Sequence, residues 1–451
     1  MRSGARLRTP HLFAAIFAVC WILALMEPMI TYWTQTAQSR RLGVASPTNL
    51  TLPSFRITLG IPIWTEKGGI GLDFRVYDHL VRHTRTCFEA YEYRANPFMK
   101  SNLMAPPLSY YFFGWTRLLP ENGAAFVWTL FNLFGIFLIT LIWMTRAGCS
   151  AGPPGAASGP SLRLLISGLF LFTYPVLFAF ERGQTDIVVL ILVSAGIFAY
   201  DKRRFFVSGL LISVAAFFKV YPVLLAAAIG LAGLALVTSR GAAPEQRDLQ
   251  RRRGLGLLGG LAAGAWVSVA FCWPETLYYI RTVLGELERG AEDLWMTHSM
   301  SIVYGWRGVA VAGLLWAAGV ACLVRLTLGR SEESRQAEAS YLRRFSLAYL
   351  TAVMVYFASV SFDYNLILTI PLLAVLLCGE PRRGRRLMLA GFGLFFTGFA
   401  LPRNTYPVLQ YFDIPGTFYM WLQVSGLALL GTVLVRNVFG RALEAREDSA
   451  A

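Results

Sequence analysis

Ionisable side chains at the edges of long apolar runs cost about 2.5–3.5 kcal/mol or more at bilayer depth, so each one found there is a candidate for chemistry. Five places in this chain qualify. In Gly71-Leu72-Asp73-Phe74-Arg75-Val76-Tyr77-Asp78-His79-Leu80, the residues Asp73, Val76, Tyr77 and Leu80 share one face at i, i+3, i+4, i+7 spacing. A carboxylate on an apolar face, with its pKa raised, is a candidate general base. An amphipathic surface helix with Asp73 as its N-cap accounts for the same residues without chemistry. In Phe180-Glu181-Arg182-Gly183-Gln184-Thr185-Asp186, Arg182 offers a planar donor fork for phosphate, and Gln184 and Asp186 offer partners for hydroxyls, unless the segment is a plain capped turn. Phe217-Phe218-Lys219-Val220-Tyr221-Pro222 sets a lone lysine between two apolar segments, with Pro222 ending or kinking the helix. Such a lysine either snorkels to the interface or meets an anion. In Trp295-Met296-Thr297-His298-Ser299-Met300-Ser301, followed by Trp306-Arg307, His298 can donate to a phosphate or leaving-group oxygen, or be an incidental loop histidine. Ser361-Phe362-Asp363-Tyr364-Asn365 and Arg403-Asn404 complete the set, with caps and turns as their alternative.

The elements that must position these residues are membrane helices. The chain has 451 residues, 55% hydrophobic and 15% charged, with mean hydropathy +0.51, which excludes a soluble or disordered protein. Twelve apolar stretches predict spans near 12–33, 123–145, 163–180, 186–200, 205–219, 221–238, 255–273, 308–328, 345–361, 365–379, 387–401 and 415–435. The expected fold is therefore all-α and polytopic, one domain over 1–451. With both termini inside, 25 basic and 10 acidic residues fall on the inner side, and 16 basic and 15 acidic on the outer side. Nearly the whole net charge of +15 then lies inside, the asymmetry of a plasma (inner) membrane protein with cytoplasmic termini, and nucleic-acid binding receives no support.

This layout leaves one long extracytoplasmic segment, 34–122, and a second loop, 274–307. Pro106 to Pro120 is apolar but too short to span and reads as a juxtamembrane helix. Asp73, His298, Arg182, Lys219, Gln184, Asp186 and Asp363 all fall on the outer side. Trp64, Tyr77, Tyr91, Tyr93, Tyr110, Tyr111 and Trp295 can stack on sugar rings there, or form an interfacial belt. The six cysteines have no CxxC spacing and read as packing residues. Gly260-Leu261-Ala262-Ala263-Gly264 fits close helix packing. There is no HExxH, P-loop, GxSxG or metal-ligand spacing, so zinc peptidase, nucleotide-driven pump and serine hydrolase chemistry lack support, and no cofactor is expected.

Taken together, these segments resemble the bacterial family 87 glycosyltransferases of the GT-C type, which include polyprenyl-phosphate-mannose-dependent alpha-mannosyltransferases. The resemblance is carried by Asp73-Phe74-Arg75-Val76-Tyr77, Ala105-Pro106-Pro107-Leu108, Gly183-Gln184-Thr185-Asp186, Ser208-Gly209-Leu210, Lys219-Val220-Tyr221-Pro222, His298-Ser299 and Ser361-Phe362-Asp363-Tyr364. One departure is Thr185-Asp186, where family members often carry an Asn-containing apolar pair. The resemblance implies a polyprenyl-phosphate sugar donor, with mannose as the expected hexose. It also implies transfer at the extracytoplasmic face, inversion, and a glycolipid, polysaccharide or protein acceptor. Asp73 and His298 would then be catalytic, Arg182 and Lys219 would bind the donor phosphate, and Tyr77, Gln184, Asp186 and Asp363 would bind substrate. The competing class is a transporter or flippase, which the span count fits; a two-fold repeat, common in that class, is not evident.

Overall fold

The computed structural model describes residues 72–93, 105–147, isolated positions between 167 and 179, and 183–239. It further describes 244–270, 272–283, 300–329, 336–357, 363–378, 384–400 and 418–450. The side chains of residues 72–73, 147, 300–303, 336–337, 363–365, 378, 398–400, 418–419 and 441–450 are not part of that description. Every element among the described residues is helical. Hydrocarbon offers no water to backbone N–H and C=O groups, so helices that satisfy their own backbone are the form such apolar stretches take.

The stretch before the bundle contributes α1 (Leu72–His83), α2 (Cys87–Glu92) and α3 (Pro107–Phe112), the last running into a 3-10 turn, Phe113–Leu118. The bundle follows as α4 (Glu121–Ala147), α5 (Asp186–Asp201), α6 (Phe205–Phe218), α7 (Val223–Thr238) and α8 (Pro244–Ala270). Next come α9 (Trp273–Tyr278) with a π turn, Tyr279–Val283, then α10 (Met300–Leu328) and α11 (Gln336–Phe357). A 3-10 turn, Asp363–Thr369, leads into α12 (Ile370–Cys378), and α13 (Arg385–Ala400) and α14 (Phe418–Ala450) end the chain. Four helices are long and apolar enough to cross a membrane by themselves, within α4, α8, α10 and α14, and shorter apolar helices accompany them. The protein is an all-α polytopic membrane protein. Ten of the expected spans coincide with described helices; 12–33 lies outside the described residues, as does most of 163–180.

Helix length differs in a way that shapes the site. At 1.5 Å per residue, α4 is about 40 Å long and clears a hydrocarbon core of about 30 Å, whereas α6 with its 14 residues is only about 21 Å long. α3 roofs the turn after α6. Pro222 lacks the N–H that would bond the Phe218 carbonyl, and the Ser109 hydroxyl donates to that oxygen instead, at 2.7 Å. Phe112 meets Phe218 edge-on at 5.1 Å.

At the opposite end, Asp201 accepts from Ser340 at 2.5 Å and faces Arg344 at 3.5 Å, while Arg344 also donates to the Arg146 carbonyl. Tyr200 bonds Thr327 at 2.6 Å. These contacts tie α4, α5, α10 and α11 at their ends. Between the two ends, α6 and α8 cross with almost no side chain between them. A Cβ on Gly260 would lie 2.0 Å from the Phe206 carbonyl oxygen, and one on Gly264 would lie 2.6 Å from that of Leu210. Cys87, Cys272 and Cys322 are buried free thiols, as expected of packing residues.

Candidate functional site

Two turns that are 33 residues apart in sequence meet at the roofed end. Gly183, at φ 64°, takes the left-handed conformation that lets the chain reverse into α5, and the Trp128 indole of α4 donates to its carbonyl at 2.8 Å. Asp186 then opens α5, where a carboxylate complements the positive end of the helix dipole. Lys219 ends α6 in an extended conformation, and Pro222 starts α7. The Lys219 ammonium lies 3.4 Å from Asp186 Oδ2, and the Tyr221 hydroxyl donates to Asp186 Oδ1. Asp186 is fully buried, whereas the Lys219 side chain keeps 17% of its surface. Of the ion pair, Lys219 is therefore the member whose side chain keeps some surface. Gln184 and Thr185 are buried beside it.

The roof links this cluster to α1. Phe112 touches Phe218, its neighbour Phe113 meets Tyr77 at a tilt with ring centres 4.9 Å apart, and Phe74 stacks at 5.7 Å on Trp128. Asp73 is the second residue of α1, one turn before Val76 and Tyr77. Two arginines lock α1 to the 3-10 turn. Arg82 pairs with buried Asp78 at 2.7 Å and donates to the carbonyls of Thr116 and Leu119; Arg117 donates back to those of Val81 and Thr84. Each guanidinium thus fills carbonyls that a helix or turn end leaves open. Tyr111 donates to Glu275 at 3.0 Å, and Tyr91 packs on Tyr278 and Tyr279, so the stretch before α4 touches α9 and its π turn.

On the exposed side of α1, His79 stacks on His83 at 3.9 Å. Burial, and then the His83 charge, hold His79 below the ordinary histidine range; Glu121 and Asp78 oppose them.

Of the residues singled out from sequence, the structure joins Asp186 to Lys219 and places Gln184 next to them and Tyr77 in the roof. The 3-10 turn that Asp363 opens packs against α5 and α11. Arg182 and His298 lie outside the described residues, as do the side chains of Asp73 and Asp363. Tyr91 and Tyr110, grouped above with the sugar-stacking or interfacial aromatics, are core residues at 3% exposure. Their hydroxyls are held by the Ala105 carbonyl and by Thr84. Sequence reasoning passed over Tyr221, which lies inside a quoted motif, and the Asp78–Arg82 pair, whose i, i+4 spacing is a helix-pairing signal. It also passed over Trp128, Ser109 and Arg117, whose partners are too distant in the chain to leave one. No group of three His, Cys, Asp or Glu side chains that could hold a metal occurs among the described residues.

Compared with known proteins, the chain matches the profile described as Glycosyltransferase family 87 over residues 105–359. No curated protein and no solved structure matches it.

Proposed function

The chain belongs to glycosyltransferase family 87, and on that premise we propose that it moves a hexose, with mannose the first expectation, from a polyprenyl-phosphate donor to an acceptor hydroxyl. The family membership makes it a membrane glycosyltransferase. The proposal places transfer on the extracytoplasmic face of the plasma membrane and leaves the acceptor as a glycolipid, polysaccharide or protein.

In the proposed step the acceptor oxygen attacks the anomeric carbon while the bond from that carbon to the phosphate oxygen breaks on the opposite face, inverting the centre. The hydroxyl proton passes to the Asp73 carboxylate, and the bonding pair leaves with polyprenyl phosphate. Lys219 and Arg182 meet the growing phosphate charge, and His298 donates to the leaving oxygen. Asp186 and Tyr221 act through Lys219 by holding the ammonium at its place; Tyr77, Gln184 and Asp363 contact substrate. The donor enters as a substrate, and no separate cofactor is invoked.

One observation carries this reading: the Asp186–Lys219–Tyr221 cluster lies within the family-matched stretch and beneath a roof continuous with the helix that bears Asp73. The test is transfer from a radiolabelled polyprenyl-phosphate hexose in membranes holding wild type or Asp73→Asn at matched levels. Label should move to acceptor in wild type and not in the variant. Equal transfer by both removes Asp73 from the mechanism, and absence of transfer from any such donor overturns the donor class.

A further inference from the structure

The end of the bundle opposite Lys219 gathers guanidiniums from three separate elements. Arg203 occupies the tight turn between α5 and α6 and adopts the left-handed conformation, φ 60°, rare for a side-chain-bearing residue. Arg253 is on α8 and Arg343 on α11. Asp201, two residues before Arg203, binds Ser340 and Arg344, which brings the start of α11 to this turn. Gly256 and Gly260 lie against Phe205 and Phe206, which brings α8 there as well. Arg343 feels first the charge of Asp201 and then those of Arg203 and Arg344, and Arg253 feels those of Arg203 and Arg343. Arg203 is exposed, and Arg253 and Arg343 are half-buried, so all three keep accessible surface. A topology signal asks only that basic residues lie in the inner loops; it does not ask that they converge. The one carboxylate named here, Asp201, already pairs with Arg344, and gathering the remaining like charges in one place is unfavourable unless a further anion joins them.

We infer that Arg203, Arg253 and Arg343 form a binding site for a phosphate group, the headgroup phosphate of an anionic phospholipid or a soluble phosphate, on the face opposite the transfer site. Guanidinium forks match phosphate oxygens two at a time. Arg343 also lies just before the apolar run of α11, at the depth of headgroups rather than of acyl chains.

The test uses the full-length protein in nanodiscs of phosphatidylcholine, alone or doped with phosphatidylglycerol, with retained phosphatidylglycerol counted by native mass spectrometry. A parallel arm titrates inorganic phosphate against the melting transition of the detergent-solubilised protein. Wild type should retain phosphatidylglycerol, and Arg203→Gln and Arg343→Gln should each weaken retention about fivefold, the factor equivalent to about 1 kcal/mol per basic residue. Arg386→Gln, on the exposed start of α13, should change nothing. Retention of phosphatidylglycerol without a phosphate response assigns the site to lipid; a phosphate-dependent melting shift abolished by the same substitutions assigns it to a soluble ester. Equal retention and equal melting in wild type and Arg203→Gln overturn the site. Arg203 lies in an exposed turn, so this variant decides the matter even if Arg343→Gln fails to fold.

Discussion

Replacing Lys219 alone should harm the protein more than replacing Lys219 and Asp186 together. At 3.4 Å the two charges attract by about 5 kcal/mol at an effective dielectric of about 20, and Asp186 has no exposed side-chain surface through which to recover hydration. Lys219→Met strips the buried carboxylate of this counter-charge and should cost about 3–5 kcal/mol. Asp186→Asn should cost less, about 1–2 kcal/mol, because the amide oxygen still accepts from Tyr221 and Lys219 can turn toward water. The double variant removes both charges and should fall near the smaller figure, a coupling of about 3–5 kcal/mol. The measurement is a double-mutant cycle on unfolding free energy, by steric trapping or in mixed SDS micelles, with donor transfer followed in parallel. Transfer should be lost in both Lys219 variants, since stability regained in the double variant does not restore the ammonium. Single costs that add to within about 0.5 kcal/mol in the double variant would show that the two groups do not act as a pair, and the reasoning would fail.

Ser109→Ala leaves the Phe218 carbonyl without its donor and should cost about 1–3 kcal/mol in a melting experiment, with Ser109→Thr retaining most of the stability; an unchanged melt would mean that another donor serves that oxygen. Gly260→Ala forces α6 and α8 apart and should cost about 1–3 kcal/mol or more while raising the KM for donor, because α6 carries Lys219. Gly259→Ala, whose Cβ would lie 4.0 Å from the Phe206 ring, is the matched control and should be neutral. For His79, the folded protein favours the neutral ring. Its contribution to stability is therefore complete above the ordinary histidine pKa and is lost as pH falls through the lowered folded value. Wild type should lose more melting temperature than His79→Asn between about pH 8 and pH 5, and parallel pH profiles would count against the assignment.

Apolar runs announce the hydrocarbon-facing part of a helix and stop where water begins, which is why α4 to α7, α12 and α13 match the expected spans closely. α8 starts 11 residues before the expected 255 because Glu245-Gln246-Arg247 and Leu249-Gln250-Arg251 are good helix formers that continue the helix without an apolar signal. α14 overruns its apolar stretch at the other end for the same reason. Lys219 and Asp186 stood out because charge beside an apolar run is conspicuous in one dimension. Their pairing was not legible, since nothing in sequence relates residues 33 apart across two helix ends. Tyr91 and Tyr110 misled because aromatic composition alone does not say whether a ring lies at an interface or under a roof; the hydroxyl partners decide that, and those come from the fold.

The clasp between α1 and the 3-10 turn bears on the surroundings in which this segment can keep its shape. Most of its hydrogen bonds run from Arg82 and Arg117 to main-chain carbonyls, which neither titrate nor carry a net charge for counterions to screen. Salt weakens the Arg82–Asp78 ion pair, but the carbonyl bonds persist. A segment fastened in this way tolerates swings in acidity and ionic strength that would loosen one held by carboxylates.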